Sequence, residues 1–124
     1  MSVRVTNITL NKRKLDEILR NTPDQINDWM DGVAQEIVND IKLSFGTSPS
    51  RPGDPPGVDT GALRASMRWA SGGQYQRIIH DGVEYGVFLE YGTSKIAARP
   101  FVSPVFFEWQ RKLADDAKRF GLIS

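Results

Sequence analysis

The sequence predicts a single α+β domain in which a small antiparallel β-sheet packs against a long helix in the N-terminal half and a C-terminal helix. Apolar residues recur at helical spacing near both ends of the chain, and a strand–turn–strand pattern lies between them. The chain has 124 residues, 40% of them hydrophobic and 25% charged, which is typical of one globular domain spanning residues 1–124.

The composition limits the chemistry available to this chain. With no cysteine and one histidine, it lacks disulfides, thiolate nucleophiles and metal sites built from cysteine or several histidines. No apolar run approaches the ~20 residues of a membrane span, and the N-terminus lacks a signal-peptide core. The chain has 16 basic and 15 acidic residues, so its net charge of +1 gives no overall field that attracts nucleic acid. We therefore expect no enzyme, and no catalytic, metal or cofactor-binding residues.

The first 22 residues predict a strand and a short helix. Apolar residues at positions 3 to 10 partly alternate with polar ones, which predicts the strand. A basic cluster at positions 11–14 follows, and the spacing of Leu15, Ile18 and Leu19 predicts a helix that ends before Pro23.

A long amphipathic helix is predicted from about Pro23 to about Phe45. Thr22 and Gln25 form a capping box around Pro23 at the first helical position, and Gly46 is a natural end. The apolar stripe comprises Ile26, Trp29, Met30, Val33, Ile37 and Ile41. The opposite, polar side carries Asn27, Asp28, Asp31, Gln35, Asn39 and Lys42.

The stretch at 46–58 predicts a long mobile loop within the domain. It holds four of the seven prolines and three glycines, with almost no apolar side chain to bury. The polar and proline residues that we expect on this loop are Arg51, Asp54, Pro55 and Pro56.

The central region predicts a helical turn and then strands. A capped turn at Asp59–Arg64 leads into a strand at Met67–Ala70, and Gly72–Gly73 supplies a flexible turn. The run Arg77–His80, followed by Asp81–Gly82, predicts a hairpin with a type I′ turn. In that hairpin Ile78 shares a face with Val83 and Tyr85, while Arg77 and Glu84 share the other.

The C-terminal region predicts a final helix that begins at Ser103–Pro104 and ends at Gly121. Its apolar stripe comprises Phe106, Trp109, Leu113, Ala117 and Phe120. Because Trp29, Trp69 and Trp109 fall on predicted apolar faces, they are expected to anchor the core or an interface.

Two other functional hypotheses arise from individual residues. A nucleic-acid-binding module would use Lys12, Arg13 and Lys14 with Arg51, Arg64 and Arg68, although the balanced charge favours a solvated surface. A small hydrolase would use His80, but Asp81 in a hairpin turn is badly placed to orient the ring. The acidic pair Asp115 and Asp116 is expected on the solvated side of its helix.

Three short motifs follow one another in the second half of the chain: Asp59–Ser66, Glu84–Thr93 and Ala97–Phe101, with Pro104 shortly after. Their order resembles the small neck and tail-completion proteins of tailed double-stranded-DNA bacteriophages and prophages. That family's pattern is Thr-Gly-x-Leu-x-x-Ser, then Tyr-Ala-x-x-x-Glu-x-Gly-Thr, then Ala-Arg-Pro-Phe-x-x-Pro. The chain departs from it at Gly86, where the family more often has alanine.

The resemblance implies a structural virion protein at the head–tail junction, assembled in the cytoplasm of the bacterial host. It implies a ring of identical subunits, a hexamer first and a dodecamer second, around a channel through which DNA passes without sequence-specific binding. The implied partners are other neck, head-completion, tail-tube or terminator proteins, and no membrane. The sheet edge and the helix from Pro23 are the candidate ring contacts.

The second and third motifs supply candidate residues for subunit contact or assembly. These candidates are Glu90, Gly92, Thr93, Arg99, Pro100 and Phe101. Gly92 permits a turn, Pro100 keeps Arg99 out of helical geometry, and Phe101 is expected to enter the core. Glu90 and Arg99 are then expected close together, paired within one subunit or across a boundary. Alternatively Arg99 is solvated, and only Pro100 and Phe101 matter.

Overall fold

The computed structural model describes residues 10–45, 61–81 and 102–124, with the backbone alone at 61–63. The described elements are α1 Lys12–Leu19, α2 Pro23–Ser44, α3 Gly61–Ser66, β1 Arg68–Gly73, β2 Gln76–His80 and α4 Ser103–Phe120. The strands pair antiparallel, so the predicted α+β class is confirmed. Positions 3–9 of the predicted N-terminal strand, the 46–58 loop, the predicted hairpin beyond Asp81 and the 90–101 segment lie outside the described residues.

Helix α2 is the central element, and it has the predicted bounds to within one residue. The capping box is present, because the Thr22 side chain accepts from the Gln25 N–H at 3.2 Å and the Gln25 side chain accepts from the Thr22 N–H at 3.1 Å. One side of α2 is buried along its whole length, and α1, both strands and α4 all contact the helix. The core therefore lies around α2.

Helix α4 begins at Ser103–Pro104 and ends at Gly121, as predicted. Gly121 has a φ of 94°, the left-handed conformation that favours glycine, and the Leu122 N–H bonds back to the Ala117 carbonyl at 3.0 Å. This turn folds Leu122 into the core, whereas Phe120 is exposed. The prediction that Phe120 belongs to the apolar stripe that packs on the core is therefore wrong, because the chain turns at Gly121 and buries Leu122 instead.

Helix α1 is attached mainly through its C-terminal end. Of the three apolar residues that predicted this helix, Ile18 is buried, whereas Leu15 and Leu19 are exposed. The Asn21 amide donates to the Ile18 carbonyl at 3.0 Å and to the Leu122 carbonyl at 2.8 Å. One side chain thus caps α1 and ties it to the end of the chain.

Strands β1 and β2 form a hairpin beside α2. Its register pairs Arg68 with His80 and Ala70 with Ile78. The turn is formed by residues 74 and 75, two positions beyond the predicted Gly72–Gly73 turn, and these glycines end β1 instead. Gly73 takes a φ of 124°, a strained value for any other residue, at the point where the register shifts.

Candidate assembly surfaces

Every predicted contact residue between Glu90 and Phe101, and the whole 46–58 loop, lies outside the described residues. The described ranges do contain α2 and the hairpin, the two elements from which ring contacts were expected. The candidate site is therefore built from the surfaces of these elements, beginning with the parts that the fold itself uses.

A row of polar side chains on α2 holds the hairpin. Asn27, Asp31 and Gln35 stand four residues apart, so they share one side of the helix. The Asn27 side chain accepts from the Tyr75 N–H at 3.1 Å, and Gln35 accepts from the Trp69 indole N–H at 3.1 Å. The periodicity predicts these residues on the side of the helix opposite the apolar stripe. They instead border the apolar stripe and bond to the hairpin, where Asn27 and Asp31 are half-buried and Gln35 stays exposed.

Arg77 is the most heavily bonded residue of this contact. Its Nε lies 2.5 Å from Asp31 Oδ1, and its other nitrogens donate to Asn27 and to the Gly73 and Gln76 carbonyls. The planar guanidinium suits this arrangement because it directs several donors at once. Arg77 therefore faces α2, whereas its neighbour Ile78 is exposed on the other side of the hairpin.

Two reciprocal bonds join α2 to α4. The Trp29 indole N–H donates to Asp116 Oδ2 at 2.9 Å, and the Trp109 indole N–H donates to Asp40 Oδ2 at 2.9 Å. Because the early residue of α2 meets the late residue of α4, the helices run antiparallel. Lys112 Nζ lies 4.3 Å from the Trp109 ring centroid, which adds a cation–π contact.

These contacts correct one prediction and confirm another. Asp116 was expected to be solvated, yet its side chain is only 16% exposed and accepts from both Trp29 and Arg119. Its neighbour Asp115 is exposed. The expectation that the tryptophans anchor the core is confirmed, since Trp29 and Trp109 are buried and Trp69 packs against the core.

The outward side of α2 presents a second surface, which we name the Gly32 face. Its residues follow the helix at spacings of three and four and are Asp28, Gly32, Glu36, Asn39 and Leu43. All are exposed, and Leu43 is 76% exposed. Within the described ranges neither Asp28 nor Glu36 forms a salt bridge, and no lysine or arginine belongs to this face.

The outer side of the hairpin presents a third surface, the Arg68 face. It comprises the cross-strand pairs Arg68 with His80 and Ala70 with Ile78. Arg64, which precedes Arg68 by one helical turn in the sequence, is exposed on α3. In the described part of the chain β1 pairs with β2 alone.

The residues considered for catalysis are placed as follows. His80 is half-buried, and its Nδ1 lies 3.4 Å from the Asp81 main-chain oxygen. Across the described ranges no three acidic or histidine side chains are grouped in a way that could hold a metal ion.

An apolar groove of about 460 Å³ lies along α2 beside Phe106 and Leu113. The charged residue that lines this groove, Arg77, is bonded to Asp31.

The basic cluster at the start of α1 is exposed, but it is interleaved with acidic residues. Lys12 and Arg13 line a shallow surface depression together with Asp16 and Glu17. The other described arginines of the nucleic-acid hypothesis, Arg64 and Arg68, stand on different elements. As for membranes, none of the helices that are described has the length and hydropathy to cross a bilayer.

The chain belongs to a family of phage tail components. Residues 11–92, about two thirds of the chain, match the model of the HK97-gp10-like family, described as "Bacteriophage HK97-gp10, putative tail-component". The match runs from α1 through β2 and includes the Asp59–Ser66 motif, while the Ala97–Phe101 motif lies beyond it. The resemblance predicted from the motifs is thereby confirmed. No curated protein and no solved structure matches the chain.

Proposed function

We propose that the chain is a structural virion protein of the head–tail junction, a neck or tail-completion component that joins the tail to the DNA-filled head. The observation that carries this proposal is membership of a phage tail-component family across α1, α2 and the hairpin. Two exposed faces on α2 and the hairpin support it, because such a component acts by binding neighbours. The role is structural rather than catalytic.

The proposed assembly is a ring of identical subunits, a hexamer first and a dodecamer second, that encloses the channel for DNA. A cyclic ring needs two different patches on each subunit, since the contact is heterologous. The neighbours in the particle would be other neck, head-completion, tail-tube or terminator proteins. DNA would pass through the channel without sequence-specific contacts.

The proposal retains the segment from Glu90 to Phe101 as a contact region on the strength of its motifs. We expect Arg99→Glu to leave the monomer folded, by circular dichroism, while heads and tails fail to join. Adding Glu90→Arg should partly restore joining if the two residues pair. Normal infectious particles from Arg99→Glu alone would contradict this role, and an unfolded monomer would make the residue structural.

The location of the protein in the particle tests the proposed function directly. Antibody or gold labelling of intact particles should mark the head–tail junction, and deletion of the coding sequence should yield filled heads beside separate tails. Labelling confined to the distal end of the tail, or absence of the protein from particles, would refute the proposal.

The nucleic-acid-binding alternative is tested with the purified chain. Binding through Lys12, Arg13 and Lys14 requires retention on duplex DNA that weakens steeply as salt increases, because each phosphate contact releases counterions. We expect no such retention, because Asp16 and Glu17 lie among these cations. Salt-dependent retention that Arg13→Glu abolishes would favour the alternative.

A further inference from the structure

The Gly32 face contains a glycine that the described fold does not require. Gly32 lies near the middle of the 22-residue helix α2, where glycine weakens the helix relative to alanine. A close intramolecular contact would explain it, but beyond the adjoining backbone of α2 a Cβ built on Gly32 meets no atom of the described residues within 4 Å. The position is thus open to solvent and gives a neighbouring molecule close access to the helix backbone.

The charges beside Gly32 indicate the kind of partner that fits there. Asp28 and Glu36 lie one helical turn to either side of the glycine, exposed and without a salt bridge in the described ranges. No lysine or arginine belongs to this face. A complementary surface therefore carries positive charge, with an apolar group for the exposed Leu43.

The Arg68 face has those properties. Arg68 and nearby Arg64 are exposed and form no salt bridge among the described residues. The exposed Ile78 and Ala70 lie between Arg68 and the hairpin turn. The face thus offers cations beside a small apolar centre, which matches the acidic residues and Leu43 of the Gly32 face.

We infer that the Gly32 face of one copy binds the Arg68 face of a second copy. Because one chain carries both surfaces, a bound pair keeps one free Gly32 face and one free Arg68 face, and the contact repeats until a ring closes. The inference rests on the proposed ring-forming function and identifies its contact surfaces. Gly32 lets the hairpin of the neighbour approach the helix backbone, and the charges set the orientation.

Paired charge reversals test this contact in the purified full-length chain. One variant carries Asp28→Arg with Glu36→Arg, and the other carries Arg64→Glu with Arg68→Glu. Each alone should self-associate at least about tenfold more weakly in sedimentation velocity at low salt. An equimolar mixture should regain association, because each variant then offers the charge that the other needs.

Two charge reversals outside both faces serve as controls. Lys118→Glu and Asp115→Arg reverse exposed charges on α4 and should leave association unchanged. Reversals that leave association unchanged, or a mixture that fails to regain it, would overturn the inference. So would a wild-type chain that stays monomeric at millimolar concentration. Particle labelling is independent, so junction labelling combined with failed charge tests would reject this contact and keep the proposed function.

Disulfide trapping gives a second readout, since the natural chain has no cysteine. A chain with both Glu36→Cys and Arg68→Cys should form a ladder of disulfide-linked species longer than the dimer on mild oxidation. The pair Glu108→Cys and Asp115→Cys on the outer side of α4 should not. Products that stop at the dimer, or equal cross-linking of the control pair, would overturn the head-to-tail arrangement.

The glycine itself is tested by Gly32→Ala. The substitution should raise the midpoint of thermal unfolding, because alanine favours the helix more than glycine does. The added methyl group should also keep the neighbouring copy away from the backbone and so weaken association at least about tenfold. Asp115→Ala is the matched control, because it also raises helix propensity at an exposed helical site. Unchanged association of Gly32→Ala would overturn the proposed close approach.

Discussion

The two sides of α2 differ in what their polar groups do. On the inner side Asn27, Asp31 and Asp40 each accept a hydrogen bond from the hairpin or from α4. On the Gly32 face Asp28 and Glu36 make no salt bridge within the described residues. The inner polar groups stabilise the fold, whereas the outer ones are left for a partner. Stability and assembly should therefore respond to different substitutions on the same helix.

The largest expected effect tests the inner side through Trp109→Ala. Trp109 is 2% exposed and its indole N–H donates to Asp40. Truncation to alanine therefore leaves a cavity and removes the hydrogen bond to the Asp40 carboxylate. We expect the free energy of unfolding to fall by about 3–5 kcal/mol in urea denaturation of the monomer. The control is Phe107→Ala on the same helix, where the side chain is 68% exposed and the change should be close to zero. If both variants lost the same free energy of unfolding, burial would not explain the contribution of Trp109.

The next effect tests the polar contact between α2 and the hairpin. Arg77 is only 11% exposed and donates to Asp31, Asn27 and two carbonyls, so Arg77→Ala should cost about 1–3 kcal/mol. Amide exchange of β1 and β2 should increase. Arg77→Lys should recover little of the lost free energy of unfolding, because an ammonium group lacks the planar set of donors. Arg68→Ala, exposed on the same hairpin, should change monomer stability by less than about 0.5 kcal/mol.

A smaller effect is expected for the bond between Trp29 and Asp116. A double-mutant cycle with Trp29→Phe and Asp116→Ala should give a coupling energy of about 1 kcal/mol, because both groups are largely removed from water. The same cycle with Asp115→Ala in place of Asp116→Ala should give no coupling. Additive losses for Trp29 and Asp116 would mean that the bond adds nothing to stability.

The smallest expected effect has the opposite sign. Gly32→Ala should raise the free energy of unfolding of the monomer by about 0.5–1 kcal/mol, since alanine loses less backbone entropy and its methyl group clashes with none of the described residues. The measurement is urea denaturation at a protein concentration too low for association. A destabilised monomer would show that the outer side of α2 also serves the fold, and the contrast between the two sides would fail.

Local patterns were sufficient to predict the long helices α2 and α4. The capping box at Thr22 and Gln25 and the glycine at 121 involve neighbours in sequence, and both form as expected. The hairpin turn was misplaced because Gly72 and Gly73 resemble a turn pair. In the structure Gly73 instead supplies a positive φ at the register shift. The Tyr75 N–H bonds to Asn27, far away in the sequence, at the turn that forms instead.

Periodicity does not predict which polar residues of α2 and α4 bond to a neighbouring element. Asn27 and Asp28 both lie on the polar side of the same predicted helix, yet one bonds the hairpin and the other stays exposed. Likewise Asp116 bonds Trp29, while Asp115 is exposed. Periodicity locates the apolar stripe, but the borders of that stripe depend on which element packs beside it.

The sequence by itself determined the long helices, their ends, the α+β class and the motifs of a phage tail-component family. These features depend on spacing, capping and short motifs, which act between residues close together in the chain. Only the tertiary structure decided which polar side chains hold α2 to the hairpin and α4, and which remain on the Gly32 face. That division depends on hydrogen bonds between residues up to 87 positions apart, and no local pattern specifies their partners.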